Sequence, residues 1–270
     1  MFRLLPLLLV ACEAGKIQLG GGPEPDARFW ADVFTWQCSA TVDDVVQTWE
    51  GAFNYDLRFQ YAPDALTEME SPDSGCNFGA DLFPDNAGDG GVNLSGSPGW
   101  YNSDALTGTM EAKGDGFYFD SAFSNQRTCT YVDELIGDGT ELTDAGSFSG
   151  AKTPVPGSLD SVTITGVDSE TGIQFGADVT VEWEAENWEK SWVQIRREQG
   201  GALVEAATCA TTGDSSFDVD SDVWDLLHDA VEVDVTNVYV GMEKHDSLTA
   251  EDGQEIELIT RVMHIAVIQD

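Results

Sequence analysis

Positive charge is what this 270-residue chain has least of. Twelve Lys and Arg stand against 49 Asp and Glu, a formal net charge of −37. With so few cations there is no basic patch, which excludes nucleic acid as a partner, because binding that polyanion works by releasing its counterions to Lys and Arg. The same imbalance sets the folded body against an anionic lipid surface. Histidine is scarce too: His228, His245 and His264 are the only three, none beside a nucleophile motif, and no GxSxG segment occurs. Carboxylate pairs can serve glycoside hydrolysis, but among 49 acids any pair is uninformative. The chain is therefore read as non-catalytic. CxxC and Cys/His spacings are missing, so neither a zinc site nor a dithiol redox site is expected. No apolar run approaches the roughly 20 residues that a transmembrane helix needs.

What is present starts at the amino terminus. Arg3 is followed by an apolar run from Leu4 to Val10, then by Leu9-Val10-Ala11-Cys12. An ordinary cleaved signal peptide has a similar opening. The order aliphatic, aliphatic, small, cysteine resembles the lipobox of bacterial lipoproteins. That resemblance implies that residues 1–11 are removed and that Cys12 is acylated on its thiol and its new amino group. Anchoring by more than one acyl chain is stable where a single chain is marginal. The expected place is the cell envelope, the outer membrane before the inner, with the lipid as the membrane contact. Residues 12–27 are rich in Gly and Pro and have no apolar period, so they read as a tether.

Hydrophobic residues make up 41% and aromatics 10%, enough to build a core despite the charge. The acidity speaks to solubility and partners, not to fold. A surface kept hydrated at high salt is favoured over binding of divalent cations or of a cationic partner. Beyond Cys12, four cysteines remain: Cys38, Cys76, Cys129 and Cys209. In an exported chain an even number suggests two disulfides, and four cysteines allow three pairings.

The periodicity is that of an all-β protein. Tyr55, Leu57, Phe59 and Tyr61 share one strand face. Val179, Val181 and Trp183 alternate with Asp178, Thr180, Glu182 and Glu184, and similar runs surround Val162, Val233, Ile256 and Ile265. Alternation with one acidic face is the pattern of a half-buried antiparallel strand. Phe29–Cys38, Phe117–Phe119 and Thr128–Val132 are further expected strands. The stretch between Pro63 and Gly116 reads as loop. Ser221 to Leu227 reads as a helical turn that opens on a capping residue and places Val223, Leu226 and Leu227 on one face. A segment short of large apolar residues divides residues 28–148, a less regular β domain, from 158–270, where the strand count is that of an immunoglobulin-like antiparallel sandwich. Three of the four cysteines fall before this divide, so one disulfide is expected to tie the halves into one body.

The second half also resembles a domain of predicted lipoproteins of myxobacteria and related groups. The resemblance rests on Val179-Thr180-Val181-Glu182-Trp183, then Val193-Gln194-Ile195, then Cys209 ahead of Gly213-Asp214-Ser215-Ser216-Phe217. It implies a β-sandwich and a compartment, and carries no active residues.

Two candidate sites stand out. Asp85 and Asp89, within Asp85-Asn86-Ala87-Gly88-Asp89-Gly90-Gly91, offer hard oxygens around a glycine turn and could hold calcium. A solvated turn explains the same residues. Trp100, Tyr101, Trp188 and Trp192 could stack on sugars; Trp183, alternating with acids, reads as core. The function expected is that of a non-catalytic, lipid-anchored envelope module, binding or structural, that presents a β surface at the periplasmic or outer face to another protein or to the envelope. The alternative is carbohydrate binding through the exposed aromatics.

Overall fold

The computed structural model describes residues 25–36, 40–42, 45–47, 52–61, 71–79, 82–83, 94–102, 106–114, 116–124, 139–166, 173, 175–211, 213–228 and 233–269. Among them the chain is nearly all strand. The first part contributes β1 (Ala27–Trp36), β2 (Ala40–Val42), β3 (Val45–Gln47), β4 (Ala52–Tyr61), β5 (Cys76–Phe78), β6 (Gly99–Asn102), β7 (Leu106–Thr109), β8 (Glu111–Gly114) and β9 (Phe117–Ser124). There follow β10 (Glu141–Thr143), β11 (Ser158–Thr165), β12 (Val179–Glu186), β13 (Lys190–Gln199), β14 (Ala202–Ala210), β15 (Ser216–Val219), β16 (Val235–Thr249) and β17 (Glu255–Gln269).

These strands build a nine-stranded sheet, in the order β5-β14-β13-β16-β17-β1-β4-β9-β8, a five-stranded sheet, β15-β12-β11-β2-β3, and a three-stranded sheet, β10-β6-β7. The two smaller sheets cover one face of the large one, side by side. The arrangement is sandwich-like, with two cores between the layers and two smaller apolar clusters on the other face of the large sheet. In the first, Val181 and Trp183 of β12 and Ile164 of β11 pack against Val193, Ile195 and Val240 of the large sheet. In the second, Phe29, Leu57, Phe59 and Leu258 of the large sheet pack against Trp100, Leu142 and Phe148. The expected alternations of β4 and β12 thus supply inward faces of both cores.

The two halves of the sequence share their sheets. β1 runs parallel to β17 from Ala27↔Ile256 to Trp36↔Ile265. β2 extends the small sheet beside β11, and β5 extends the large one beside β14. The first core is nonetheless lined by second-half residues, with β11, β12 and β15 facing β13, β14 and β16, and β2 and β5 are added at the edges of those sheets. The expected divide between 148 and 158 is where the chain passes from the three-stranded sheet to the five-stranded one. Alternation along a strand identifies its faces; it does not name its neighbours.

Two local expectations change. The Pro63–Gly116 stretch read as loop contains β5 to β8, strands of three or four residues, too short to show a period. The helical turn is present as α1 (Ser221–Trp224), but its cap is Asp220, whose carboxylate accepts from the amides of Asp222 and Val223. Trp224 joins Val223 and Leu227 in the core, its indole donating to the Ala177 carbonyl at 2.8 Å. The expected strand Thr128–Val132 lies outside the described residues.

Candidate functional site

The face of the large sheet turned away from both cores carries a row of buried charge. Asp32 faces Asp56 across β1 and β4, and Arg261 across β1 and β17. The Asp32 carboxylate accepts from Arg261 Nε at 2.6 Å and Nη2 at 2.7 Å, and from Arg58. Arg58 also donates to Asp56 at 3.1 Å and to the Phe83 carbonyl at 3.3 Å. The Phe83 ring lies 4.8 Å from the Arg261 guanidinium, and Phe119 lies 5.2 Å from that of Arg58. Burial pushes the Asp56 carboxyl up, against the pull of Arg58.

The row continues into β16. Glu243, in register with Arg261, accepts from Ser71 Oγ at 2.8 Å and Trp192 Nε1 at 2.9 Å. His245 bridges Glu243, at 3.3 Å, and Glu257, at 3.2 Å, and Glu257 pairs with Arg28 at 2.6 Å. Burial disfavours the imidazolium, yet the bonds to both glutamates and their charges raise its pKa to about 9. Burial likewise works against Glu243 and Glu257, but the bond from His245 and the nearby arginines hold both below the usual carboxylate range. Four acids here face Arg28, Arg58, Arg261 and His245, so the row balances with His245 protonated. Groups so paired fix strand register, because a one-residue slip would separate every partner.

A second histidine cluster is set differently. Glu205 is buried and paired with Arg197. It accepts from His228 Nδ1 at 3.0 Å and from the His228 amide, leaving an imidazole whose side chain is 66% exposed. Among the described residues, no serine, threonine or free cysteine is hydrogen-bonded to the His228 or His245 ring. His264 is buried in β17.

Two open concavities lie elsewhere, at the β12–β13 turn. A cleft of about 370 Å³ enters between the five-stranded and nine-stranded sheets, lined by Trp183, Trp188, Ser191, Asp214 and Met242. The turn residue Asn187 has φ 66°, the left-handed region. Trp188 is held by its indole, which donates to the Ser158 carbonyl at 2.6 Å. A second concavity, about 560 Å³, adjoins it and is lined by Thr163, Glu182, Glu184, Glu186 and Ser215. Lys190 on the rim pairs with Asp73 at 2.7 Å.

The structure sorts the residues singled out from the sequence. Cys76 and Cys209 form a disulfide between β5 and β14, tying the halves as expected. Cys12, Cys38, Cys129, Asp85 and Asp89 lie outside the described residues. Among the described residues, no group of three or more His, Cys, Asp or Glu is placed to hold a metal ion.

The aromatic set requires correction. Trp100 is 2% exposed and Trp192 0%, so neither can stack on a sugar. Each lies over its cross-strand partner, a glycine: Gly108 for Trp100 and Gly241 for Trp192. Each indole donates to a carboxylate, Asp120 at 2.7 Å and Glu243 at 2.9 Å respectively. Tyr101, 37% exposed, and half-buried Trp188 are the two accessible members, one on the three-stranded sheet and one at the β12–β13 turn. Sequence reasoning missed the cleft floor, because Trp183 is core over most of its surface yet lines the opening.

No protein-family model matches the chain, and no curated protein matches it.

Proposed function

We propose that this chain is a non-catalytic, lipid-anchored protein of the cell envelope, held through Cys12 in the outer membrane, whose β body binds another envelope protein. The observation that carries the reading is where its chemistry is spent. The buried carboxylates and cations of the large sheet are paired with one another, and two open concavities at the β12–β13 turn are lined by tryptophan and exposed carboxylates. Such a lining suits recognition. The lipobox and the resemblance of residues 158–270 to the immunoglobulin-like sandwich of predicted myxobacterial lipoproteins support the same reading. The path of the chain is consistent with it: Asp26 enters the fold beside Glu255, with the Asp26 amide donating to the Glu255 carbonyl at 2.8 Å.

Mass spectrometry of detergent-extracted protein tests the anchor. A diacylglyceryl adduct on Cys12 is expected, as is release of the Cys12→Ala protein into the soluble fraction. A wild-type protein recovered soluble and unacylated overturns it.

Carbohydrate binding is the second reading, and Trp188 in its cleft favours it. A glycan array on wild-type protein and Trp188→Ala tests it. Binding that is lost with Trp188 supports the reading, and no binding removes it.

A further inference from the structure

The small sheet has an edge that stops short. β15 pairs with β12 from Val179↔Val219 to Glu182↔Ser216, and one more bond runs from the Trp183 amide to the Ser215 carbonyl at 3.0 Å. β12 continues to Glu186. Backbone groups two residues apart in a strand point the same way. The Ala185 amide and carbonyl therefore point, like those of Trp183, to the side that β15 has left. Among the described residues no hydrogen bond meets Ala185 on that side.

The two concavities flank this edge. Trp183, Trp188 and Met242 lie in the inner one, and Glu182, Glu184 and Glu186 line the other. The three glutamates are exposed and alternate with the inward Trp183 and Ala185. Lys190 at the rim already has Asp73 as its partner, so the local field is negative. A second copy of a chain carrying −37 charges is a poor occupant for such an edge, because carboxylate would face carboxylate. An extended segment with the opposite charge is a good one.

We propose that the Trp183–Glu186 edge of β12 receives an extended peptide of a partner protein, added as a strand in line with β15. Its apolar side chains would sit toward half-buried Trp188 and Ala185, above a floor formed by buried Trp183 and Met242, and its alternate, cationic side chains over Glu182, Glu184 and Glu186. Main-chain bonds supply the affinity in this mode, and the alternating pockets supply the selectivity. The proposal rests on the interaction-module reading above and names the chemistry of the partner.

The test uses the full chain and the peptide acetyl-Lys-Val-Lys-Val-Lys-Val-amide, followed by tryptophan fluorescence and calorimetry. Saturable one-to-one binding is expected, with none for the Glu-Val counterpart. Ala185→Pro removes the outward amide without touching the β11 side and should weaken binding at least tenfold. Glu184→Gln with Glu186→Gln should weaken it severalfold, and Glu251→Gln with Glu255→Gln, on the β16–β17 turn, should leave it unchanged. If Ala185→Pro does not fold, judged by its melting curve, two N-methylated peptides decide. One is methylated at the valines and one at the lysines; the frame facing β12 should lose at least tenfold.

Absence of binding overturns the proposal. So does binding indifferent to Ala185→Pro and to both methylated peptides, or equally sensitive to Glu251 and Glu255, which would mark general attraction to an acidic surface. Wild-type protein that sediments as a dimer, with Ala185→Pro a monomer, assigns the edge to a second copy and also overturns it. A chain that stays anchored through Cys12 yet ignores the peptide overturns this edge alone.

Discussion

Protonation of His245 should make the stability of this protein fall as pH rises through the alkaline range. In the unfolded chain the imidazole has its ordinary pKa of 6.5; in the fold it is raised to about 9. A raised group contributes fully below its unfolded pKa and loses that contribution as pH climbs through the folded one. One proton corresponds to about 1.4 kcal/mol per pH unit. Over the interval between 6.5 and 9 this is on the order of 3 kcal/mol, a large fraction of the 5–15 kcal/mol typical of a folded domain. The structure explains the size: the side chain is 21% exposed and lies between two carboxylates whose remaining cations are Arg28 and Arg261. The assay is urea unfolding at half-unit steps from pH 6 to pH 10, with midpoints and slopes extrapolated to water. The decisive quantity is the difference between wild type and His245→Gln, in which contributions common to both proteins cancel. The variant should be less stable at pH 6 by about the amount stated, and the gap should narrow toward pH 10. Parallel curves for the two proteins would refute the reasoning.

Three further perturbations are informative. Cys76→Ser with Cys209→Ser removes a bridge across a sequence separation of 133 residues; the chain-entropy estimate is about 5 kcal/mol, and a calorimetric loss of roughly 2–5 kcal/mol is expected. Gly241→Ala puts a methyl group into the Trp192 ring, so the indole must leave Glu243. A melting temperature several degrees lower, with a red-shifted tryptophan emission, is the expected outcome. Stability should also rise with NaCl, since the Debye length falls from about 10 Å at 0.1 M to about 3 Å at 1 M and screens the repulsion among 49 acids. Calcium and magnesium at equal ionic strength should act alike in that titration; a selective, saturable calcium effect lost in Asp89→Asn would instead assign Asp85 and Asp89 to a calcium site.

The class of fold was legible because inward faces are written in alternation. Tyr55, Leu57 and Phe59, or Val179, Val181 and Trp183, need no knowledge of their neighbours to be read as core. Register is a relation between distant segments, and that is where the reading ran out. Trp100 looked exposed beside Pro98-Gly99 because the glycine that receives it, Gly108, lies in another strand, and Trp192 finds Gly241 in the same way. The buried charge row was hidden by the same rule that revealed the cores. Asp32 and Arg261 occupy the alternate positions of β1 and β17, which alternation assigns to solvent. One signal was available: Trp30 and Phe34 flank Asp32 on that second face, and Ile259 and Met263 flank Arg261, so both strands are apolar on both sides. Such strands belong to the middle of a covered sheet. The free edge at Ala185 left no trace in the sequence, since it depends on where β15 ends.

The parallel pairing of β1 with β17 also governs the order of events in time. β17 stands between β1 and β16, so the large sheet remains two fragments until residues 255–269 have emerged. β1, β4 and β9 can gather early, and β13, β14 and β16 can do so later, but each group presents an open hydrogen-bonding edge while it waits. Closing the sheet brings Ala27 to Ile256, a long-range step of the kind that makes β proteins slow to fold. Assembly is therefore completed by the last strand and not by growth from the first, and a chain halted before Glu255 is left with two separate edges in search of a partner.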